Sequence, residues 1–510
     1  MEIFISQFHP EKNKLLIEKI RELFKHSAVY SIGWVASSAA SILLLPVYTR
    51  YLSKADYGIL EILTHFNGIF RIIMIAGLHL AVSRFYNFAV DGSSKRRVLS
   101  TANSAIFIIV ILGSIFIFPL DDFLSNLILG SADYAYYVDI NIIILSLDVM
   151  YFVFLISFIV QKKSVPYVAI SMIKLILGII ANIYFIVFLK LGALGMLYGN
   201  VVSFLVTTVI AGFYSIRENG LLVDFPLLKE MLKFGLPLVP AQLCATVMHN
   251  ADRFLIRYYC NLEDVGLYSL GYNFPMMTNV LLLQSFNMIW GASMMYEIAK
   301  EKDASYQFGR ITTYFMLLFV STQYALSIYS TTVVKILAAP KFFMAHTVIP
   351  FVSLGVCLHA FYTFFTVGAF IKKKTWLVNI GYLPAAILNI ALNMVLLPRF
   401  GYIAAAWTTV FTYFTFVALV YVACRKTISI SFEFKRLSYV FLTTIALYIV
   451  SSQLFFDNLL IDFSLQSLFI LIYAALIYFG NFFTDGEKNV VRQEFKKAFT
   501  KISIYRKADL

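Results

Sequence analysis

Residues 51–60 read Tyr51-Leu-Ser-Lys-Ala-Asp56-Tyr-Gly58-Ile-Leu, and residues 259–268 read Tyr259-Cys-Asn-Leu-Glu-Asp264-Val-Gly266-Leu-Tyr268. Tyr, Asp and Gly superpose when the chain is shifted by the separation of Tyr51 and Tyr259. Further along, Lys190-Leu-Gly192-Ala-Leu pairs with Arg399-Phe-Gly401-Tyr-Ile, and Lys163 with Lys372, at nearly the same offset. A long period held this closely means two related structural units. Working outward from these anchors, apolar runs of about 20 residues recur, each able to cross a roughly 30 Å hydrocarbon core as a helix. The runs predict fourteen spans, six in each repeat and two after them. Six is even, so both repeats share one orientation and are related by an axis along the membrane normal.

The expected fold class is therefore an all-α polytopic membrane protein with two parallel-related six-helix lobes and two extra helices. The expected organisation is residues 1–27 as a cytoplasmic N-terminal segment, 28–215 as the N-lobe, 216–424 as the C-lobe, 425–483 as the last two spans, and 484–510 as a basic cytoplasmic tail. The N-terminal segment reads either as an amphipathic surface helix or as a short leader.

Composition supports this. Hydrophobic residues make up 60% of the 510 and charged residues only 14%, too few to cover a soluble protein of this length. Strand-length period-2 alternation is not seen, which argues against a β-barrel. Most of the 41 Lys and Arg fall on one side of the spans, as in Lys95-Arg96-Arg97, Lys162-Lys163 and Lys372-Lys373-Lys374. Basic loops stay in the cytoplasm, which places both termini there and accounts for the +13 net charge without nucleic acid. The four cysteines are scattered, so neither a disulfide framework nor a metal site is expected. No GxxxxGK[ST] phosphate loop is present, which removes a nucleotide-driven pump.

The polar residues inside the spans carry the functional reading. An intramembrane Arg costs about 2.5–3.5 kcal/mol on insertion scales, so it should face a cavity or a partner. In the second span Glu61, Thr64, Asn67, Gly68 and Arg71 share one face, joined by His79. In the seventh, Gln242, Thr246, His249 and Arg253 recur at helical spacing, and in the eighth Asn273, Gln284 and Asn287 do so. Trp34 stands in a Ser-rich stripe of the first span. These four helices are expected to line a cavity between the lobes. The competing reading is helix–helix glue, which Ser, Asn and Gln often provide. Lys174 either snorkels or faces the cavity, while Arg84 snorkels at a span end. Arg253 either meets the cavity or pairs locally with Asp252. Asp148 is a counter-ion of Arg71 or Lys174, or a cation or proton site, and Glu61 is a second candidate for ion coupling. His249 is either titratable near neutrality or a structural histidine.

The segment Ala251-Asp252-Arg253 through Gly266-Leu-Tyr268-Ser resembles the seventh-to-eighth helix signature of polysaccharide exporters. Leu45-Pro46-Val-Tyr-Thr-Arg50 through Asp56-Tyr-Gly58 is similar to their first outer turn. The family is the O-antigen and polysaccharide flippases of the multidrug/oligosaccharidyl-lipid/polysaccharide exporter superfamily, and the likeness covers nearly the whole chain. It implies a membrane transporter with no cofactor, in a bacterial cytoplasmic membrane, that flips an undecaprenyl-pyrophosphate-linked oligosaccharide between leaflets. The implied partners are that lipid, the bilayer, and the polymerase and glycosyltransferases of glycan assembly. Alternatives are a drug antiporter of the same superfamily, a peptidoglycan-precursor flippase, and an integral-membrane enzyme of glycan assembly. Arg and His in the cavity argue against the drug antiporter. The lack of paired deep carboxylates or metal-ligand spacing argues against the enzyme.

Overall fold

The computed structural model describes residues 36, 40–454, 459–480 and 482–488. The N-terminal segment, Trp34 and the tail beyond Lys488 lie outside the described residues, whereas Ser41 of the serine stripe is described. Among the described residues the principal helices run in chain order: α1 (40–51), α2 (Lys54–Ile75), α3 (Gly92–Ile117), α4 (Ala135–Val160), α5 (Ser164–Ile183), α6 (Gly192–Asn219), α7 (Val239–Tyr259) and α8 (Leu262–Asn279). They continue with α9 (Ala304–Ile328), α10 (Ile349–Phe365), α11 (Tyr382–Phe400), α12 (Ile403–Cys424), α13 (Phe434–Ser452) and α14 (Leu459–Phe479). Among the described residues twelve of the helices are long and apolar enough to cross a membrane; α1 and α8 are not among them. Peripheral helices turn large apolar side chains outward, such as Phe116, Phe400, Leu471 and Phe479. Such a belt suits lipid rather than water.

Helices α2–α6 pack among themselves, with α4 and α5 both against α6. Helices α7, α11 and α12 pack together, as do α9, α10 and α13. These last two groups are joined by α10 against α12, and α8 packs on α10, giving one second bundle whose contact with the α2–α6 bundle runs chiefly through α8 and α7 against α2. The connection after α3 is itself helical, Asp121–Leu129 and Ala132–Tyr134, with Ser131 capping the second piece.

The repeated motif has a local physical meaning. Ser53 and Asp56 form a reciprocal capping box that starts α2. Asn261 accepts from the Asp264 N–H at 2.8 Å and starts α8, its own amide donating to the Asp264 carboxylate at 3.0 Å. The two glycines then let the helices touch at their backbones. A Cβ on Gly58 would lie 2.0 Å from the Leu262 carbonyl oxygen, and one on Gly266 would lie 2.2 Å from that of Lys54. Each glycine meets the residue that precedes its counterpart by one turn, so the contact is reciprocal. Lys54 and Glu263 add an ion pair at 2.5 Å.

At the opposite end α2 breaks at Ala76 (φ 50°) and Gly77 (φ 73°) and resumes as Leu78–Phe88. Gly77 abuts Gly235, the end of the connecting helix Phe225–Gly235, where a Cβ would meet the Gly235 carbonyl oxygen at 2.4 Å. That connector is fastened to the first bundle by Arg97–Asp224 at 2.5 Å and by Ser100 donating to the Leu222 carbonyl. Phe234 lies under the Arg84 guanidinium at 4.6 Å. Beyond Asn279, α8 continues through two wide turns, Val280–Gln284 and Trp290–Met294, before ending at Ile298. Such π-type turns often accompany functional sites.

Candidate functional site

Directly beneath the Gly58–Gly266 crossing lies a cavity of about 390 Å³, bounded by α1, α2, α8 and Met196 of α6. Tyr57, Glu61 and Thr64 come from α2, and Asn273, Met277 and Val280 from α8. Asn273 Nδ2 donates to Glu61 Oε1 at 3.1 Å and to the Tyr57 hydroxyl at 3.3 Å, bridging the two bundles. His65, one turn along α2, approaches the second Glu61 oxygen at 3.4 Å. The α2 face then continues through Gly68, where a Cβ would meet nothing within 4 Å, to Arg71. On α8 Gly291 is equally open. The polar faces of α2 and α8 thus meet tightly at one end and border open space toward the other.

Arg71 Nη1 lies 3.2 Å from Asp148 Oδ2 of α4, and its guanidinium sits 5.3 Å from the Phe152 ring. The Arg71 side chain is 40% exposed, whereas that of Asp148 is 15% exposed. A guanidinium carries five N–H donors in a planar fork, and this contact engages one nitrogen. The remainder of the fork is available. Asp148 therefore serves as the partner of Arg71. Lys174 makes no ion pair within 4 Å among the described residues; its ammonium sits 3.4 Å from the centre of the Phe204 ring and 4.8 Å from that of Tyr151.

Part of the polar stripe of α2 is glue. Asn67 and Asn141 exchange amide hydrogen bonds at 2.8 Å in both directions, and His79 packs edge-on against Phe152. Asn141, Asp148 and Phe152 share one face of α4, so α2 zips onto α4 along this seam.

The stripe on α7 faces inward. Arg253 is 1% exposed and lies among α7, α8 and α12. It donates to Asp252 at 2.7 Å and to the His249 carbonyl at 3.0 Å, and its guanidinium lies 3.9 Å from the centre of the Tyr272 ring. Tyr268 donates to the other Asp252 oxygen. His249 Nδ1 pairs with the Tyr413 hydroxyl at 2.6 Å, and that hydroxyl meets Tyr272 at 2.9 Å. His359 of α10 adjoins His249 with ring centres 5.1 Å apart. A charge this deep is tolerable only when paired and hydrogen-bonded, and here Asp252, a carbonyl and an aromatic face provide that. Arg253 and His249 are thus set in the interior of the second bundle rather than on the cleft.

Gln242 and Gln284 make no side-chain hydrogen bond among the described residues, and the buried Asn287 Oδ1 has no partner there. Among the described residues no cluster of three His, Cys, Asp or Glu could hold a metal. Tyr57 and His65 were missed by the sequence reading, although both lie one helical turn from Glu61. Tyr268, Tyr272, Tyr413 and His359 were missed because their association is tertiary.

Two helical bundles in contact at one face and bordering a charged, polar cleft define a membrane transporter. A sequence family described as "Polysaccharide biosynthesis protein" matches residues 23–290, more than half of the chain, and the chain belongs to that family. Membrane protein MJ1068 of Methanocaldococcus jannaschii is 23% identical over 458 residues, 87% of this chain and 82% of its own length. A protein of the Lsg locus of Haemophilus influenzae is 23% identical over 291 residues, 55% of this chain and 68% of its own. Among solved structures, the lipid II flippase MurJ in an inward closed conformation superposes with a TM-score of 0.71 at 16% identity, covering 88% of this chain and 99% of that one. An inward-facing multidrug resistance transporter of the MATE family gives 0.64 at 15% identity over 76% and 94%. The fold is that of the multidrug/oligosaccharidyl-lipid/polysaccharide exporter superfamily.

Proposed function

We propose that the chain carries an undecaprenyl-pyrophosphate-linked oligosaccharide from the cytoplasmic to the outer leaflet of a bacterial cytoplasmic membrane. The observation that supports this most is Arg71: a guanidinium deep in a span, held by Asp148 through one nitrogen and 40% exposed beside the polar face of α2. Its free donors match the geometry of a phosphate oxygen pair. Thr64 and Gln284 offer hydrogen bonds to sugar hydroxyls along the same two helices. The prenyl chain stays in lipid while the head passes between the bundles.

Transport then requires the α2–α8 contact to part. The Gly58–Gly266 crossing, the Lys54–Glu263 pair and the Glu61–Asn273 bridge all lie at that contact and would open together. With the cytoplasm negative, moving an anionic head outward is favoured by about 2.3 kcal/mol per charge per 100 mV, which gives a direction without a coupled ion. A cationic-drug exporter fits less well, because Glu61, the carboxylate lining the cavity, is engaged by Asn273 and His65, whereas Arg71 keeps free donors. Lys174 and the Arg253 network are assigned to holding the bundles in shape.

The test is direct binding. A short-chain prenyl-pyrophosphate disaccharide should bind the purified chain, and Arg71→Ala should weaken it by about tenfold or more. Arg71→Lys should recover part of the loss by keeping the charge without the fork. Equal affinity in wild type and Arg71→Ala would remove Arg71 from the substrate path.

A further inference from the structure

Away from the cleft, on the face opposite the basic loops, a second cavity of about 310 Å³ lies where the ends of α9, α10, α13 and α14 meet. Asp462, 3% exposed, and Gln466, 8% exposed, are among its buried polar members. Gln466 Nε2 donates to Asp462 Oδ2 at 2.6 Å, and Gln466 Oε1 accepts from Thr332 at 2.9 Å. Ser330, Thr331, His346 and Ser451 line the space, and Phe351, Tyr448 and Phe469 supply its aromatic side. Ser452 stands exposed beside it. A carboxylate and an amide buried in a membrane protein are costly and tend to mark function. Nothing in the transport path uses these two.

We propose that this cavity is a saccharide subsite, holding one ring of the delivered glycan on the outer face; it rests on the lipid-linked oligosaccharide reading above. A sugar presents hydroxyls that both donate and accept, on a ring with an apolar C–H face. The lining answers each requirement: Ser and Thr hydroxyls do both, Asp462 accepts, Gln466 can do either, His346 accepts through Nε2 because its Nδ1 donates to the Phe343 carbonyl, and the aromatic rings take the apolar face. The volume is at the small end of the roughly 300–1,000 Å³ typical of ligand pockets, enough for one ring and not for a chain. A cation fits less well. Lys335 on the helix Ser330–Leu337 already attracts the Asp462 charge, and among the described residues no three metal-ligating groups converge. A prenyl tail fits less well still, because it would leave the buried carboxylate and amide facing hydrocarbon.

The experiment uses the full chain in lipid nanodiscs, with glucose, galactose, N-acetylglucosamine and N-acetylgalactosamine as probes. Binding is read by saturation transfer from protein to sugar ring protons. At least one sugar should receive transfer. Ser452→Trp, which crowds the rim without altering Asp462 or Gln466, should raise its half-saturating concentration by about tenfold, and Gln466→Ala should do the same. No transfer to any of the four sugars from folded wild type overturns the proposal, as does transfer that Ser452→Trp leaves unchanged. Thermal stabilisation by sodium or choline alone, lost in Asp462→Asn, would make this a cation site and overturn it equally. Flipping is measured separately, so a chain that binds sugar here yet moves no lipid-linked glycan would defeat the transport reading and leave the saccharide site standing.

Discussion

Gly58→Ala is the sharpest perturbation of the α2–α8 contact. The added methyl would lie 2.0 Å from the Leu262 carbonyl oxygen, against an ordinary contact of 3.4–4 Å. Backbone cannot rotate away as a side chain can, so the helices must separate by more than an ångström at their crossing. Overpacking of that kind costs about 1–3 kcal/mol. All of it falls on the state in which the helices touch, because the glycine has no such neighbour once they part. A differential of about 1–3 kcal/mol shifts the ratio of the two states by roughly 5–150-fold. Gly266→Ala should act alike, since its methyl would meet the Lys54 carbonyl oxygen at 2.2 Å. The double variant should fall short of the sum, because one separation relieves both clashes. The assay is the labelling rate of Met277→Cys, which lines the cavity below the crossing, by a membrane-impermeant thiol reagent added on the outer side. The background chain would have Cys244, Cys260, Cys357 and Cys424 replaced. Labelling should accelerate within that range in either glycine variant. An unchanged rate in a folded Gly58→Ala protein would refute the reading that the α2–α8 contact closes this cavity and must part for transport.

Three further outcomes follow from named contacts. Asp252→Ala leaves Arg253 buried without its carboxylate and should destabilise the protein by about 3–5 kcal/mol. Thermal unfolding followed by size-exclusion fluorescence should show that loss, with Asp252→Ala/Arg253→Met losing less than Asp252→Ala alone. Asp148→Asn removes the partner that holds Arg71, so headgroup binding should persist with the transport rate reduced, and a chain that transports as fast as wild type would argue against positioning by Asp148. Beyond α14, burial alone would raise the Glu487 carboxyl, but hydrogen bonds from the Thr484 N–H, Tyr314, Arg310 and Arg436 outweigh it and hold the group down at about 2, below its usual 4.5. The carboxylate therefore stabilises the contact of the segment after α14 with α9 and α13 above pH 4.5, and that contribution fades as pH falls toward 2. The difference in unfolding temperature between wild type and Glu487→Gln should shrink over that interval and stay flat above it.

Membrane character and the repeat were legible because span length, charge asymmetry and helical period are local properties of sequence. The repeat was visible through Asp56 and Asp264, which accept from the N-cap side chains Ser53 and Asn261, and through Gly58 and Gly266, which allow the crossing. Those residues recur for structural reasons, whatever the substrate. What the sequence could not convey was which neighbour each polar stripe would meet. Asn67 and Arg71 look alike on a helical wheel, yet one closes a reciprocal amide pair with Asn141 and the other keeps an exposed fork. The stripe of His249 and Arg253 has the spacing of a cavity wall, but rotation of α7 turns it toward Tyr272 and Tyr413. Periodicity fixes which residues share a face, and only packing fixes what that face sees. The break at Ala76–Gly77 was likewise hidden, because it depends on Gly235 arriving from another part of the chain.

The central claim is transport of an anionic lipid-linked glycan past Arg71. Proteoliposomes holding the chain and a fluorescent undecaprenyl-pyrophosphate oligosaccharide, with a quencher outside and a potassium diffusion potential across the membrane, measure it most directly. The expected result is translocation that accelerates as the basic side is made negative and that Arg71→Ala abolishes in equally well-folded protein. Translocation at the same rate in Arg71→Ala, or none above protein-free vesicles with wild type, would contradict it.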